Sequence, residues 1–300
     1  MMSFKKIYAN LNEQIVAGLY ISQKPVISFE VFPPKKDFDI NSQKIIDELA
    51  ILKQFQPAFV SVTYGAGGSN QANSFDLALK IKNGLDIDVM PHYTCIGATK
   101  ESVLEYLSLV EKKGFTKILA LRGDIPQNDP DFVFNEDFRF ASDLVDFIQD
   151  KTNLSIGVAG YPEVHREAKS MEEDLKNLKK KIEAGAEAVI TQVFFNNDHY
   201  FRFVEKAHLM DINIPIIPGI LPITNLGQIE RMASMCGTEI PKEFVDRLVK
   251  YQDDKDAVMD LGIEFAIYQC QQLSDAKVPG IHFYTLNKAY ATKEVLENVV

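Results

Sequence analysis

The octapeptide SFEVFPPK, Ser28 to Lys35, sets one carboxylate, Glu30, inside an apolar run that reads as a strand and stops at a proline pair. A carboxyl group in that setting is a candidate general acid or base. Polar residues close the other apolar runs in the same way: Thr63 before YGAGGS, His92, Arg122 and Asp124 in LRGD, Tyr161, Glu163 and His165 in GYPEVH, Gln192 in TQVFF, Asn225 in PITN, and Tyr284 and Asn287 in HFYTLN. Scattered surface polarity would not choose strand ends so regularly. Each residue also has a plainer reading. Glu30 could be half of an interior ion pair, Asp124 ordinary turn chemistry after glycine, His92 and His165 satisfied core or cap histidines, and Gln192 a partner of neighbouring backbone. One shared site accounts for all of them together.

Other chemistries fit less well. A first-strand H-x-H is absent and EVHRE has no partner cluster, so no metal centre is expected. There is no G-x-S-x-G turn, and Lys117 opens its strand instead of ending it, which disfavours a nucleophilic serine and a Schiff-base lysine. YGAGGSN departs from the dinucleotide fingerprint because Asn70 stands in the third glycine's place; it reads instead as a mobile loop that lets backbone approach a flat ligand. In DLKNLKKK, Asp174, Asn177 and Lys181 share a helix face, and Arg122 with Lys179, Lys180 and Lys181 could meet an anionic diphosphate. A solvated helix face is the alternative for the lysines.

The elements that must position these residues follow from periodicity. Eight β-branched-rich runs start at Val26, Ala58, Asp88, Lys117, Leu154, Ala188, Ile214 and Gly280, mostly about thirty residues apart, with helical periods between most of them. Helices ending at Gly114 and Gly185 before the next strand reinforce the alternation. Short strands covered by helices imply a parallel sheet, and eight such units close into a (β/α)8 TIM barrel whose chemistry gathers at the C-terminal strand ends. The stretch from Asn225 to Lys277 should hold more than one helix. We expect one domain over residues 1–300, with residues 1–24 forming a helical extension across the barrel's N-terminal end.

Composition narrows the partners. Hydrophobic residues make up 46% and charged residues 25% of 300, enough for a sizeable core. A net charge of −10 without a basic stripe excludes nucleic acid as a partner. No signal peptide and no long apolar run is evident, so a cytoplasmic protein without a membrane partner is expected. Cys95, Cys236 and Cys270 lack the spacing of a disulfide framework or zinc ribbon and read as small hydrophobes. No apolar surface stripe can be told from core-facing residues by pattern, which leaves a homo-oligomer possible.

Taken in order, SFEVFPPK, VTYGAGGS, LRGD, GYPEVH with EAKS, DLKNLKKKIEAGA, TQVFF, PGILPITN and HFYTLN closely resemble the methylenetetrahydrofolate reductases of bacteria, from about Val26 to Asn287. The resemblance implies an FAD-binding TIM barrel in which NADH or NADPH reduces the flavin and the flavin reduces 5,10-methylenetetrahydrofolate, the two substrates alternating at one site. It implies a flavin set of Thr63, His92, Leu121, Arg122, Gly123, Asp124, Phe140, Ala141, Tyr161, His165, Asp174, Asn177, Lys180 and Lys181. The implied folate set is Glu30, Asp124, Gln192, Leu226, Tyr284 and Lys288. Glu30 would protonate N10 of the folate, with Phe29, Val31 and Phe32 excluding water from its carboxyl, though strand alternation sends only some of them toward it. Asp124 would lower the flavin potential. Three positions depart from the pattern: Lys288 where Arg is common, Phe140 where Tyr often stands, and Leu226 where an aromatic may stack on the ring. Without residues beyond Val300, feedback through the regulatory domain of eukaryotic relatives is not expected. The rival readings are a flavin barrel of proline dehydrogenase type and an accessory subunit that has lost turnover.

Overall fold

The computed structural model describes residues 2–8, 25–64, 71–124 and 136–300. Gly65 to Asn70 of the glycine-rich stretch, and most of the N-terminal extension, lie outside the described residues. The strands are β1 (Val26–Val31), β2 (Phe59–Val62), β3 (Val89–Thr94), β4 (Lys117–Leu121), β5 (Ser155–Gly160), β6 (Ala188–Thr191), β7 (Ile216–Ile217), β8 (Gly219–Ile220) and β9 (Gly280–Tyr284). They form one parallel sheet in the order β7-β6-β5-β4-β3-β2-β1-β9-β8. This is a TIM barrel.

The sequence reading expects eight strands, and the ninth has a simple origin. β7 and β8 are one strand interrupted at Pro218, which has no N–H to give the ladder. Its carbonyl still accepts the His282 N–H at 2.9 Å. The first half pairs with β6 and the second with β9, so this split strand closes the ring.

Helices cover the outside. Several begin at side-chain caps that satisfy free backbone donors: Thr99 before Lys100–Lys112, Ser170 before Met171–Glu183, Asn196 before Asn197–Leu209 and Asp254 before Lys255–Asp275. Gly114 and Gly185 follow two of the helices with φ of 73° and 124°, conformations a side chain would resist. Between Asn225 and Lys277 there are three helices, Leu226–Cys236, Lys242–Lys250 and Lys255–Asp275.

Alternation along the strands divides the core. Ile27, Phe29 and Val31 point outward into the main apolar cluster beneath the helices. Phe59, Met90, Leu119, Ala188, Ile190 and Ile217 fill the barrel's lower interior, where Phe4 and Tyr8 from helical residues 4–8 join them. Phe4 meets Phe59 edge to face with ring centroids 5.7 Å apart, and its backbone N–H donates to the Ser155 hydroxyl at 2.8 Å. A third cluster gathers Val193, Phe195, Leu221, Ile223, Ile229 and Phe244 around the helices that follow β8.

Candidate active site

Glu30 faces inward, 6% exposed, in the upper layer of the barrel interior. Register sets it beside Ser61 on β2 and Tyr284 on β9. One carboxylate oxygen lies 3.5 Å from His92 Nε2, 3.8 Å from His282 Nε2 and 3.4 Å from the Ser61 hydroxyl, which donates to it. Ser28 in turn lies 2.8 Å from His282 Nδ1. The immediate neighbours of Glu30 are therefore imidazoles and hydroxyls. The apolar shield expected of Phe29 and Val31 is on the other face of the strand, because successive residues alternate.

His92 is 4% exposed, and its Nε2 has no hydrogen-bond partner. Burial lowers its pKa to about 4, with Glu30 opposing and His282 adding to the effect, so the ring is neutral at pH 7. His282 escaped the sequence reading. Its signal was the alternation in GIHFYTLN, which places His282 and Tyr284 on one face and Ile281 and Phe283 on the other.

Around the mouth, from β2 to β5, lie Thr63, Leu121, Arg122, Gly123, Asp124 and Tyr161. Gly123 adopts φ 88°, and a Cβ there would stand 2.8 Å from Ile96 Cγ2 and 3.0 Å from Thr94 Cβ, so the turn admits only glycine without rearrangement. Asp124 is exposed. Arg122 makes a two-point ion pair with Glu167, one of whose bonds is 2.6 Å, and this pairing raises the guanidinium pKa and lowers that of the carboxylate. Glu167 lies in the EAKS stretch and is a partner that motif reading passed over.

Tyr161 and His165 meet edge to face at 4.6 Å, and burial raises the pKa of the phenol and lowers that of the imidazole. Asp174 is buried and accepts the His165 N–H at 3.0 Å; burial raises its pKa, opposed by that bond and by Lys181. Burial brings the Lys181 pKa down to about 8, while its ammonium donates to the Ala159 carbonyl at 2.6 Å.

The three lysines do not act as a cluster. Consecutive helical residues diverge by about 100°, and Lys179 pairs with Asp211 at 3.7 Å, Lys180 is exposed, and Lys181 alone turns to the strand end beside Asp174. Asn177 is also exposed. Phe140 is 51% exposed just before Ala141, and Asp143 accepts its backbone N–H at 2.8 Å.

The remaining arc runs through β6, β8, β9 and β1. The side-chain oxygen of Gln192 accepts the Val193 N–H at 2.9 Å, the neighbouring-backbone bond that its plainer reading describes. Tyr284 donates its hydroxyl to the Thr191 carbonyl at 2.7 Å. Leu226 opens its helix against the third apolar cluster. Lys288 is largely exposed and lies 3.6 Å from Glu48 on the outer helix Phe38–Leu52. Asn287 holds both backbone groups of Phe32, accepting the N–H at 2.8 Å and donating to the carbonyl at 2.9 Å, so it fixes the chain just beyond Glu30.

Against this geometry, the methylenetetrahydrofolate reductase family model matches residues 14–300. The chain belongs to that family. Among curated members of the methylenetetrahydrofolate reductase family, the 5,10-methylenetetrahydrofolate reductase of Escherichia coli is 38% identical over 264 residues, 88% of this chain and 86% of the relative. That of Pectobacterium carotovorum is 37% identical over 292 residues, covering 96% and 94% of the two chains. The chain spans about half of some longer relatives: methylenetetrahydrofolate reductase 1 of Schizosaccharomyces pombe is 36% identical over 281 residues, 92% of this chain but 46% of the relative. Among solved structures, an uncharacterized protein from Clostridium thermocellum, described as binding two copies of 5-methyl-5,6,7,8-tetrahydrofolic acid, shares the fold with a TM-score of 0.64 at 16% identity, covering 96% of this chain and 97% of that one.

Proposed function

We propose that this chain reduces 5,10-methylenetetrahydrofolate to 5-methyltetrahydrofolate, taking electrons from NADH or NADPH through FAD in a ping-pong sequence, and thereby supplies methyl groups for methionine synthesis. Family membership supports the reaction. The observation that carries the assignment of sites is the division of the barrel mouth: the residues expected to hold flavin occupy the arc β2 to β5 and the helices that follow β4 and β5, while those expected to hold folate occupy β6, β8, β9 and β1, apart from Asp124 after β4, which belongs to both sets. Glu30 on β1 and His92 on β3 adjoin across the boundary.

The residues present fit a flavin dinucleotide. The unpartnered, buried Nε2 of His92 and the glycine-only turn at Gly123 offer a flat polar ring an imidazole nitrogen and an open backbone edge. Lys181 and Arg122 supply positive charge for the diphosphate, Arg122 by exchanging its Glu167 partner. What the flavin supplies when bound is a two-electron carrier between nicotinamide and folate.

The chain's own groups supply the rest. Glu30 delivers a proton to N10 of the folate, which opens the methylene bridge to a cation able to accept hydride. Ser61 and His282 hold its carboxyl in place. Asp124 sets negative charge at the flavin edge and lowers its potential. Gln192 hydrogen-bonds the pterin by turning from Val193, while Tyr284 and Leu226 line the ring. Lys288 reaches the folate carboxylate by leaving Glu48, as a single point charge where Arg would grip with two bonds. Three unbridged cysteines accord with a reducing, cytoplasmic setting. Among the described residues, no helix is long and apolar enough to cross a membrane.

The deciding experiment is anaerobic. The purified chain should be yellow, bleach with NADH and regain its colour when methylenetetrahydrofolate is added. A colourless chain that takes up no added FAD would overturn the reading.

A further inference from the structure

The helix Leu226–Cys236 is anchored unequally at its two ends. Its near end follows Ile223, which packs so tightly on the long helix Lys255–Asp275 that a Cβ at Gly262 would stand 2.0 Å from the Ile223 carbonyl oxygen. Its far end meets the loop after β5 through polar contacts. The Glu163 carboxylate, 13% exposed, accepts the Thr238 hydroxyl and, at 2.9 Å, the Glu239 N–H, with His199 Nε2 at 3.9 Å. Arg166 donates to the Ser234 carbonyl, and Gly237 lies against its side chain.

The segment thus leaves the barrel after β8 and is tied down after β5. β6 lies between β5 and the split strand, and Ile229 and Ala233 of the helix share one apolar cluster with Val193 and Phe195 just beyond β6, so the segment crosses that strand's C-terminal end, where Gln192 sits. Beside Glu163, Val164 holds φ 72°, a conformation β-branched residues rarely accept and one that persists where the surroundings demand it.

We infer that Glu163 is a positioning residue: it clasps the segment 226–239 across the end of β6 and so shapes the folate side of the site without contributing to flavin binding. The inference rests on the proposed assignment of folate to that arc. Glu163→Ala should leave the flavin bound and its bleaching by NADH within about two-fold of the parent, while the KM for methylenetetrahydrofolate rises about tenfold, the scale of losing a hydrogen bond.

Glu163→Gln should restore the parent behaviour, since its amide still accepts from Glu239 and can donate to the Thr238 hydroxyl. Thr238→Val should add little to Glu163→Ala, because both remove the same contact. Hydrogen exchange on the purified protein reads the clasp without turnover: amides in 226–239 should exchange about tenfold faster in Glu163→Ala, with β1 to β4 unchanged. Unchanged exchange in 226–239, equal acceleration throughout the barrel, or a loss at the NADH step as large as at the folate step would overturn the inference. A parent protein that fails to turn over folate would defeat the functional assignment alone, and the exchange result would still decide the clasp.

Discussion

Glu30 and His92 lie 3.5 Å apart in the barrel interior, and each leads to a measurable consequence. Glu30→Gln keeps the shape and removes the transferable proton. We expect it to retain flavin and its bleaching by NADH while folate-driven recovery of colour falls at least about a hundredfold, the scale of lost general acid catalysis; stopped-flow measurement of the two half-reactions checks this. His92 titrates near 4 when folded and near 6.5 when unfolded. Between these values the unfolded chain binds the extra proton, so the stability that the neutral ring contributes is complete above about pH 6.5 and lost as pH falls toward 4. The contribution is roughly 3 kcal/mol. His92→Gln should flatten the fall in urea midpoint between pH 7 and pH 4.5 relative to the parent. The chemical type of both residues was legible in the sequence, because a carboxylate and an imidazole within apolar runs stand out. Their surroundings were not: Ser61 on β2 and His282 on β9 meet Glu30 on β1 only through register, and His282 also touches Ser28, 254 residues away in sequence.

Among the elements, the strand broken at Pro218 packs closely against the site. A Cβ at Gly219 would stand 2.4 Å from the Thr191 carbonyl oxygen and 2.6 Å from Tyr284 Cε2. Gly219→Ala must therefore displace the Tyr284 phenol from Thr191, and we expect a loss of about 1–3 kcal/mol in unfolding free energy together with weakened folate binding. Denaturant titration and a binding isotherm would register the two effects separately. Strand and helix order could be read from the apolar runs and their glycine stops. The split of the seventh strand was marked by Pro218 within IPIIPGIL, but a proline inside a run does not reveal that its two halves serve different neighbours. The lysine trio is a different case: adjacency in sequence suggested one anion site, whereas helical geometry gives Lys179 and Lys181 different partners.

For the whole molecule, the lower interior of the barrel is completed from outside the sheet. Phe4 is fully buried and Tyr8 is 1% exposed, both among side chains from β2, β3, β4, β6 and β7. Phe4→Ala should cost about 3–5 kcal/mol by opening a cavity there, with little direct effect on flavin spectra, since the residue lies at the opposite end from the mouth; thermal unfolding of the flavin-loaded protein would separate stability from cofactor environment. The ring itself has a consequence for biosynthesis. β1 pairs with β9, Val26 against Gly280, so the first strand to leave the ribosome waits for the last before its second edge is covered. Throughout most of translation that edge and the surfaces awaiting Phe4 remain open, and contacts this distant in sequence form slowly. A nascent chain of this shape therefore keeps an unpaired strand edge until nearly all of it has been made, and stalled synthesis before Gly280 should yield aggregates instead of a stable partial barrel.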